Sequence, residues 1–309
     1  MSKVVWVDLE SMSFDNSVSQ KLIRLLKESG ATDDLVEGMR ITLKVNTAEV
    51  GYEYSLRPGF LRIAAEEAEK ATKNTPMLCD GHRLVDYWKQ SRGNVFLSVA
   101  SARGYTDDTL GGCLVINGGF SGDESDLFSC GTDSELGGVE IGTAVCRSDV
   151  LWVLSHVTMH PLFGLNGALL NSGFECLSGR AKTRILKGLS PYLFDGQSPP
   201  QKDIQSFRER AVECIRGVKK AVENRIFYIN YLWDVTPQPE YYPYSDKPVM
   251  ENMGFLASKD PVALDNATIS IIDENSKNLG SAAEDFRTII EKAESLGLGQ
   301  SKQTLIRMS

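Results

Sequence analysis

The chain of 309 residues has little histidine and no long apolar segment. Only three histidines occur, and its six cysteines lie far apart with no C-x-x-C pair. This dispersal excludes the compact spacing of zinc knuckles and of ferredoxin-like iron–sulfur motifs. No apolar run reaches the roughly 20 residues that a transmembrane helix needs, and the amino terminus lacks the apolar core of a secretory signal. These absences predict a cytoplasmic protein with reduced thiols and no membrane partner.

The chain also has fewer basic than acidic residues. The chain has 33 Lys and Arg residues against 41 Asp and Glu residues, a formal net charge of −8, and the basic residues are scattered. Because nucleic-acid-binding proteins carry clustered basic patches, we expect no nucleic-acid partner. Hydrophobic residues make up 42% of the chain, which excludes disorder and supplies a core for one large domain or two lobes.

Short β-branched runs alternate with longer amphipathic segments, which is the pattern of an α/β protein. We predict strands at residues 4–9, 40–45, 76–80, 113–117, 139–143, 150–154, 226–232 and 254–258. We predict helices at residues 19–28, 58–71, 204–222, 262–272 and 282–295. The Gly- and Ser-rich residues 120–138 are interpreted as a loop excursion rather than a packed element.

A Pro- and Gly-rich linker at residues 188–203 divides the predicted chain. It would separate an amino-terminal lobe, residues 1–187, from a carboxy-terminal lobe, residues 204–309. The expected architecture is therefore two-lobed, with mixed or parallel sheets flanked by helices and a cleft between the lobes.

Two of the three histidines, His156 and His160, follow an apolar strand directly. In open α/β sheets, ligands bind just beyond the carboxyl ends of strands. The proline after His160 disfavours a helix there, so we expect the pair on a loop. The two imidazoles are candidates for acid and base or for ligands of a divalent metal ion; the alternative is two ordinary buried or surface histidines.

Two further strand ends carry polar residues. Asp80 and His82 follow one predicted strand, and Lys44 and Asn46 end another. The carboxylate, imidazole and ammonium groups are candidates for proton transfer, and the amide for substrate binding. The alternative is that both segments are ordinary polar turns.

Two more segments are candidates for substrate binding. In the small-residue segment from Gly164 to Asn171, backbone N–H groups at a helix start could meet an anionic group, unless the segment is only a tightly packed turn. The second segment follows the last predicted strand and contains Lys259, Asp260 and Asp265. Asp260 precedes a proline and is expected to cap a helix, whereas Asp265 is expected to be a buried carboxylate with a partner.

These segments resemble a known family. The run from His156 to Asn171, together with Gly-Phe-Leu-Ala-Ser-Lys-Asp-Pro-Val-Ala-Leu-Asp at residues 254–265, is similar to the domain-of-unknown-function 362 family. Members of that family are often labelled iron–sulfur centre proteins. Further matches make the resemblance extend over nearly the whole chain, at residues 76–80, 102–105, 173–182, 227–230 and 236–237. The resemblance implies a two-lobed α/β protein with its site in the cleft.

The chain departs from that family where relatives carry a cluster. Many relatives have a ferredoxin-like cysteine run that residues 190–203 lack, and a Cys-Asp-Cys where residues 239–241 read Pro-Glu-Tyr here. An iron–sulfur cluster is therefore not expected. Relatives also tend to have lysines at the positions of Thr158 and Leu170.

The same histidine segment distantly resembles that of the nickel-pincer lactate racemases. In those enzymes a lysine at the position of Leu170 anchors the cofactor covalently. Its loss makes covalent anchoring unexpected here, while the resemblance still implies an acid–base or metal-ligand role for His160.

The sequence therefore predicts an enzyme acting on a small molecule by proton transfer at carbon: an isomerisation, elimination or cyclisation. Its expected catalytic groups are those of His156, His160, His82, Asp80 and Lys44, and a divalent metal held by the first two is the candidate cofactor. The alternative is a non-catalytic protein that handles a cofactor or metallocluster and has lost the family's lysines and cysteines. The enzyme hypothesis requires the histidines to point into one cavity near a carboxylate. The sequence leaves the oligomeric state open.

Overall fold

The computed structural model describes residues 1–84, 89–193, 198–276 and 282–308. The strands in these ranges are β1 Ser2–Val7, β2 Ile41–Lys44, β3 Met77–Gly81, β4 Cys113–Asn117, β5 Ser125–Ser129, β6 Gly138–Gly142, β7 Val150–His156, β8 Thr158–His160, β9 Gly164–Asn166, β10 Ile226–Leu232, β11 Gly254–Ser258 and β12 Gln303–Met308. The α-helices are α1 Val18–Glu28, α2 Pro58–Thr72, α3 Gly93–Ala102, α4 Asp107–Leu110, α5 Thr143–Cys146, α6 Ala168–Ser172, α7 Gly179–Leu186, α8 Gln201–Ala221, α9 Pro261–Asn275 and α10 Ala282–Ser295.

One sheet of eight strands organises the described residues, in the order β12-β1-β11-β10-β7-β2-β3-β4. Its strands run parallel to one another except for β11, which pairs antiparallel with both β1 and β10. The carboxyl ends of β2, β3, β7 and β10 consequently lie side by side. The carboxyl end of β11 lies at the other end of the strands. Two hairpins, β5-β6 and β8-β9, stand apart from this sheet.

Apolar side chains on both faces of the sheet produce a three-layer arrangement. The central strands β7 and β10 are buried along their whole length, which is why they are almost continuous apolar runs in the sequence. Helices α1 and α2 cover one face through residues such as Leu25 and Leu61. Helices α8, α9 and α10 cover the other face, where Phe207 and Phe286 are fully buried. The predicted α/β class with a mixed, mostly parallel sheet is confirmed.

Two local predictions are wrong. Residues 120–138 contain β5, which pairs with β6, and this strand gives little apolar signal because most of its side chains are exposed. His156 and His160 do not lie on a loop, since each is the last residue of a strand, β7 or β8. The proline at 161 restricts His160 to extended backbone, and a strand end satisfies that restriction as well as a loop does.

Strands from both sides of residues 188–203 share the sheet. β7 pairs with β10, and β1 pairs with β11 and β12. The division into lobes 1–187 and 204–309 therefore stays a prediction about folding units, and residues 194–197 of the predicted linker lie outside the described residues. No helix in the described ranges combines the length and apolar character needed to cross a lipid bilayer.

Candidate functional site

A buried ion pair lies at the carboxyl ends of β2 and β3. Lys44 Nζ is 3.1 Å from Asp80 Oδ1, and both side chains are inaccessible to solvent. Asp80 Oδ2 also accepts hydrogen bonds from the backbone N–H and hydroxyl of Thr47, both at 2.8 Å, and from Nη2 of Arg83 at 2.7 Å. Burial alone would raise the pKa of Asp80, but the charges of Arg83 and Lys44 hold it below its usual value. The carboxylate is therefore ionised in the folded protein.

Amide side chains extend this cluster towards β7. Asn171 Oδ1 accepts hydrogen bonds from Asn46 Nδ2 at 2.9 Å and from Lys44 Nζ at 3.4 Å. Asn171 Nδ2 donates to Asn166 Oδ1 at 2.9 Å, and Asn46 Oδ1 accepts from the backbone N–H of His156 at 3.2 Å. The predicted substrate-binding amides of Asn46 and Asn171 thus bind protein groups and connect neighbouring strand ends.

The His156 imidazole lies in this network. Its Nε2 is 2.8 Å from the carbonyl oxygen of Trp233, and because a carbonyl only accepts hydrogen bonds, the proton of the neutral ring is on Nε2. Nδ1 is 3.7 Å from Glu240 Oε2 and has no hydrogen-bond partner among the described residues. Burial lowers the pKa of His156 to about 4, so the ring is neutral at physiological pH.

His160 is held by backbone groups on one side and a tyrosine on the other. Its Nδ1 accepts the N–H groups of Leu162 at 3.1 Å and Phe163 at 2.9 Å. The ring proton is therefore on Nε2, which donates to the hydroxyl of Tyr241 at 2.6 Å. Burial also lowers the pKa of His160 to about 4. Gly164, with φ of +94°, closes the turn that brings these N–H groups round to the ring.

A small pocket lies beside His160. Its cavity volume is about 30 Å³, room for a few water-sized groups. The lining residues are His82, Arg83, Leu84, His160, Phe174, Glu175, Lys182, Leu186, Phe207 and Tyr241. Phe207 and Tyr241 follow the predicted linker at residues 188–203, and the other lining residues precede it. Two of the three histidines line the pocket, whereas His156 does not.

The pocket lining carries two cations and one carboxylate. Lys182 Nζ is 2.5 Å from Glu175 Oε2, and both side chains are at least nine-tenths buried. Arg83 uses Nε to contact Gln90 and Nη2 to contact Thr47 and Asp80, while Nη1 makes no hydrogen bond to the described residues. The Arg83 side chain is 4% exposed and lines the pocket. Arg83 and Lys182 thus keep N–H donors available for an anion.

His82 reaches the pocket from the end of β3. Its side chain packs edge-on against Phe96, with ring centroids 5.8 Å apart, and its buried Nε2 has no hydrogen-bond partner among the described residues. Burial and the charges of Lys182 and Arg83 lower the pKa of His82 below its usual value, so the ring is neutral. Gly122, with φ of +81°, passes so close to the ring that any side chain there would collide with it.

Two predicted substrate-binding residues lie away from this pocket because β11 runs antiparallel. Ser258 at the end of β11 is opposite Tyr228, near the start of β10, so the chain leaves β11 at the opposite edge of the sheet. Lys259 forms an ion pair there with Asp34 at 2.7 Å, and Asp260 caps α9 by accepting two backbone N–H groups. Lys259 and Asp260 thus lie apart from the histidines, and their substrate-binding role stays a prediction.

The carboxylate of Asp265 binds the start of α6, where the sequence predicted that an anionic ligand could bind. Its two carboxylate oxygens accept the N–H groups of Ala168 and Leu169, both at 2.8 Å, and Asn230 donates a further hydrogen bond at 2.7 Å. Asp265 therefore stabilises the first turn of α6 from within the protein. Gly167 permits this contact, because a Cβ there would lie 2.5 Å from Asp265 Oδ1.

The chain matches a family model described as a domain of unknown function, DUF362, over residues 41–270. The chain belongs to the DUF362 family. No curated protein matches this DUF362 chain.

The solved structures similar to this DUF362 protein include the following two. The lactate racemase apoprotein from Thermoanaerobacterium thermosaccharolyticum is 15% identical with a TM-score of 0.40, over 75% of this chain and 50% of that one. A protein from Thermotoga maritima is 13% identical with a TM-score of 0.43, over 93% of this chain and 60% of that one. The DUF362 chain thus spans about half to three fifths of the length of these proteins.

The side chains of this DUF362 protein do not fit the metal site that the sequence suggested. Both ring nitrogens of His160 are occupied, one by N–H donors and one by its own proton, so the neutral ring offers no free lone pair. His156 Nδ1 faces Glu240 alone. In the described ranges no three or more His, Cys, Asp or Glu side chains are grouped to hold a metal ion. We therefore derive no step through a metal.

Sequence reasoning missed several polar residues that complete the DUF362 site. Arg83 directly follows His82, yet a single arginine after a histidine carries no distinctive pattern. Glu175 and Lys182 belong to separate short helical turns, so their spacing gives no signal of an ion pair. Tyr241 stands beside Tyr242 and near Tyr244 in the sequence, and such a group of aromatic residues is more typical of a core than of a site. What could have singled it out is its position in a polar Tyr- and Pro-rich loop that must fold back over the strand ends.

Proposed function

We propose that this DUF362 protein is an enzyme that transfers a proton at a carbon atom of a small anionic substrate bound in the pocket beside His160. One observation carries the proposal: neutral His82, the His160–Tyr241 pair and the spare N–H donors of two cations converge on the same cavity. Perturbed titratable groups that converge on a partly apolar cavity are typical of active sites.

Substrate binding is assigned to the two cations. Arg83 Nη1 and Lys182 Nζ would donate hydrogen bonds to a carboxylate or similar oxyanion, and both side chains are nearly inaccessible to solvent. Charge-assisted hydrogen bonds are strong in such an environment. The small cavity limits the substrate to a few heavy atoms or to the head of a larger molecule.

Proton transfer is assigned to Nδ1 of His82, since Nε2 is enclosed by the protein and cannot contact a substrate. A neutral imidazole can remove a proton from a carbon beside the substrate's carboxylate or carbonyl group, and the lowered pKa of His82 keeps it neutral at physiological pH. The electron pair left on carbon delocalises onto the adjacent oxygen as an enolate. Return of the proton from His82 to another position or face completes an isomerisation, and loss of a leaving group completes an elimination.

Stabilisation of the enolate is assigned to Tyr241 with the cations. Burial raises the pKa of Tyr241 well above 10, which opposes transfer of its proton to the substrate. Its hydroxyl therefore stays protonated beside the pocket, and the hydrogen bond that it accepts from His160 fixes its position. Preorganised donors of this kind contribute on the order of 3–4 kcal/mol to a transition state. Arg83 and Lys182 supply the positive charge that the sequence-based hypothesis assigned to a metal.

Hydrogen exchange tests the proposal. The protein is incubated in deuterated buffer with a panel of two- to four-carbon carboxylic acids, including 2-oxo and 2-hydroxy acids, and loss of the C–H signal is followed by proton NMR. We expect at least one acid to exchange. His82→Gln should slow that exchange at least about 100-fold, because it removes the base. Arg180→Gln, a change of a side chain that is 79% exposed near the start of α7, should leave it unaltered.

A non-catalytic binding protein is the second candidate function. It is favoured by the many cluster residues that bind protein groups, such as Lys44, Asn46 and Asn171. It predicts that acids of the panel bind, seen as increased thermal stability, without any C–H exchange. Exchange that His82→Gln leaves unchanged would contradict the proposed role of His82. An absence of both binding and exchange across the panel would contradict both candidates.

A further inference from the structure

An enolate in the pocket beside His160 can regain its proton on either of two faces. Return on the face from which the proton left restores the substrate or places the proton on another carbon, whereas racemisation requires return on the opposite face. When a substrate cannot turn over, delivery to both faces requires two groups that give and take protons, one on each side. The number of such groups that reach the pocket therefore decides the class of reaction.

The His160–Tyr241 pair supplies no base. His160 Nδ1 accepts the N–H groups of Leu162 at 3.1 Å and Phe163 at 2.9 Å, and its Nε2 donates to the Tyr241 hydroxyl at 2.6 Å. Both nitrogens of the neutral ring are thus occupied, and no lone pair is left for a substrate proton. Burial raises the pKa of Tyr241 well above its usual value, so its hydroxyl keeps its proton.

Glu175 carries the one carboxylate among the described residues that line the pocket. Its Oε2 is 2.5 Å from Lys182 Nζ, and both side chains are at least nine-tenths buried. Burial acts to raise the pKa of Glu175, but the charges of Lys182, Lys44 and Arg83 hold it below its usual value. A carboxylate stabilised in its ionised form is a weak base. The apolar side chains of the described lining are Leu84, Phe174, Leu186 and Phe207.

The His82 ring is held in one orientation. It packs edge-on against Phe96, with ring centroids 5.8 Å apart. Its Nε2 is enclosed by the protein and lies beside Gly93, where a Cβ would be 3.3 Å away. The backbone at Gly122 passes so close to Nδ1 that no side chain fits there. Because these contacts prevent the ring from turning, Nδ1 meets a bound substrate from one direction.

The groups assigned to substrate binding are fixed as well. Arg83 Nη2 donates to the carbonyl oxygen of Thr47 at 2.6 Å and to Asp80 at 2.7 Å, so the guanidinium group cannot rotate with a ligand. The contact with Glu175 holds Lys182. The cavity of about 30 Å³ leaves a small acid that is bound at its carboxylate no space to turn over.

We propose that His82 alone exchanges protons with the substrate, so that every proton is removed and returned on one face. This inference rests on the proposed function and narrows it. The enzyme is then an isomerase that shifts a proton between two carbons, or a lyase that eliminates on one face, and not a racemase or epimerase. Its substrate is an acid with a double bond or a leaving group next to the reacting carbon.

The single imidazole is sufficient for both reactions. As the C–H bond breaks, an N–H bond forms at Nδ1 of His82 and the electron pair passes to the adjacent oxygen. In the isomerisation, the N–H bond breaks and a C–H bond forms at a second carbon on the same face, which removes the enolate charge. In the elimination, the electron pair forms a carbon–carbon double bond, and the leaving group departs with its bonding electrons and takes the proton from His82.

Stereospecific exchange tests the inference. Propanoate and butanoate carry a CH2 group at C2, and 2-oxobutanoate carries one at C3, in each case beside a carbonyl carbon. Each acid is incubated in deuterated buffer with and without the protein. In at least one of them we expect the CH2 signal in proton NMR to fall to half and stop, with a mass gain of one deuterium. The second hydrogen has no base on its side and should exchange at least about 100-fold more slowly.

Two variants identify the base. Glu175→Gln should still stop at one hydrogen, whatever its effect on the rate, whereas His82→Gln should slow the exchange of that hydrogen at least about 100-fold. Arg180→Gln is the surface control. Exchange of both hydrogens at similar rates, or of a single hydrogen that depends on Glu175 and not on His82, would overturn the inference and leave an enzyme that transfers protons at carbon. An absence of exchange in all three acids would also overturn it, and exchange of the other acids of the panel then decides whether the proposed function stands.

Discussion

Asp80 and Glu240 are both fully buried carboxylates, yet their pKa values move in opposite directions. Asp80 contacts two cations, whose charges outweigh the effect of burial. The Glu240 carboxylate accepts hydrogen bonds from the neutral amide of Asn166, at 3.2 Å to each oxygen, and lies 3.7 Å from an uncharged His156 ring. Burial therefore dominates at Glu240 and raises its pKa to about 7. The Glu240 carboxyl group is therefore partly protonated near neutral pH.

The pKa of Glu240 predicts a stability that falls as pH rises. The unfolded chain releases this proton near pH 4.5 and the folded chain near pH 7, so ionisation between these values favours unfolding. The shift corresponds to about 3 kcal/mol at most. Glu240→Gln should therefore gain stability relative to the wild type as the pH rises from 5 to 8, as measured by urea unfolding at several pH values.

A surface variant provides the control for Glu240. Glu53→Gln removes a carboxylate that is 76% exposed and should show the same pH dependence as the wild type. If the stability difference between Glu240→Gln and the wild type is constant across this pH range, Glu240 titrates normally and the account of its burial is wrong.

Several of the clustered residues could be predicted from the sequence because they lie at the ends of apolar strands. Lys44 and Asp80 each end a recognisable apolar strand, as do His82 and His156, and parallel strands bring such ends together. Arg83, Lys182 and Tyr241 were missed because their elements are short or irregular. Their arrival at the pocket depends on tertiary contacts, such as that of Lys182 with Glu175, which no local pattern encodes.

At the scale of elements, α6 depends on a contact with α9. The helix has five residues, too few to be stable alone, and Asp265 of α9 binds its first two N–H groups. α6 in turn carries Asn171, whose amide joins Lys44 to Asn46. A single carboxylate thus connects the helix layer to the cluster at the strand ends.

Two glycine substitutions should have opposite effects on stability. Gly167→Ala should destabilise the protein by about 1–3 kcal/mol, because the new Cβ would displace the Asp265 carboxylate from α6. Gly59→Ala in α2 should stabilise it by about 0.5–1 kcal/mol, because Gly59 has open space around it and alanine favours the helix. Urea denaturation measures both. Equal effects at the two sites would show that the Asp265 contact does not control α6.

Element prediction succeeded where a strand is apolar on both faces and failed where tertiary pairing decides. β4, β10 and β11 have the predicted bounds. β5 and β12 are largely exposed, so they show no apolar alternation, and their partners lie elsewhere in the chain. The direction of β11 could not be predicted, because the same apolar run fits a parallel or an antiparallel neighbour.

At the scale of the molecule, strands from both predicted lobes are interleaved in one sheet. β1 lies between β11 and β12, and β10 lies beside β7. A fragment of residues 1–187 would leave β7 with an open edge and β1 without either neighbour. Unpaired edges of apolar strands favour aggregation.

The interleaved sheet predicts a single cooperative unfolding transition. Far-ultraviolet circular dichroism and tryptophan fluorescence should give coincident curves in urea. Residues 1–187 expressed alone should fail to fold, and so should residues 204–309. Two separated transitions, or a folded fragment of residues 1–187, would support independent lobes instead.

Because β11 runs antiparallel, the residue that follows it is a suitable place to attach a label far from the pocket. Lys259 is on the edge of the sheet away from the pocket, about a strand length or roughly 20 Å from the strand ends that surround it. A dye or surface tether attached through a cysteine at position 259 would leave the pocket open to added acids. Ligand binding could then be followed on immobilised molecules without the label entering the site.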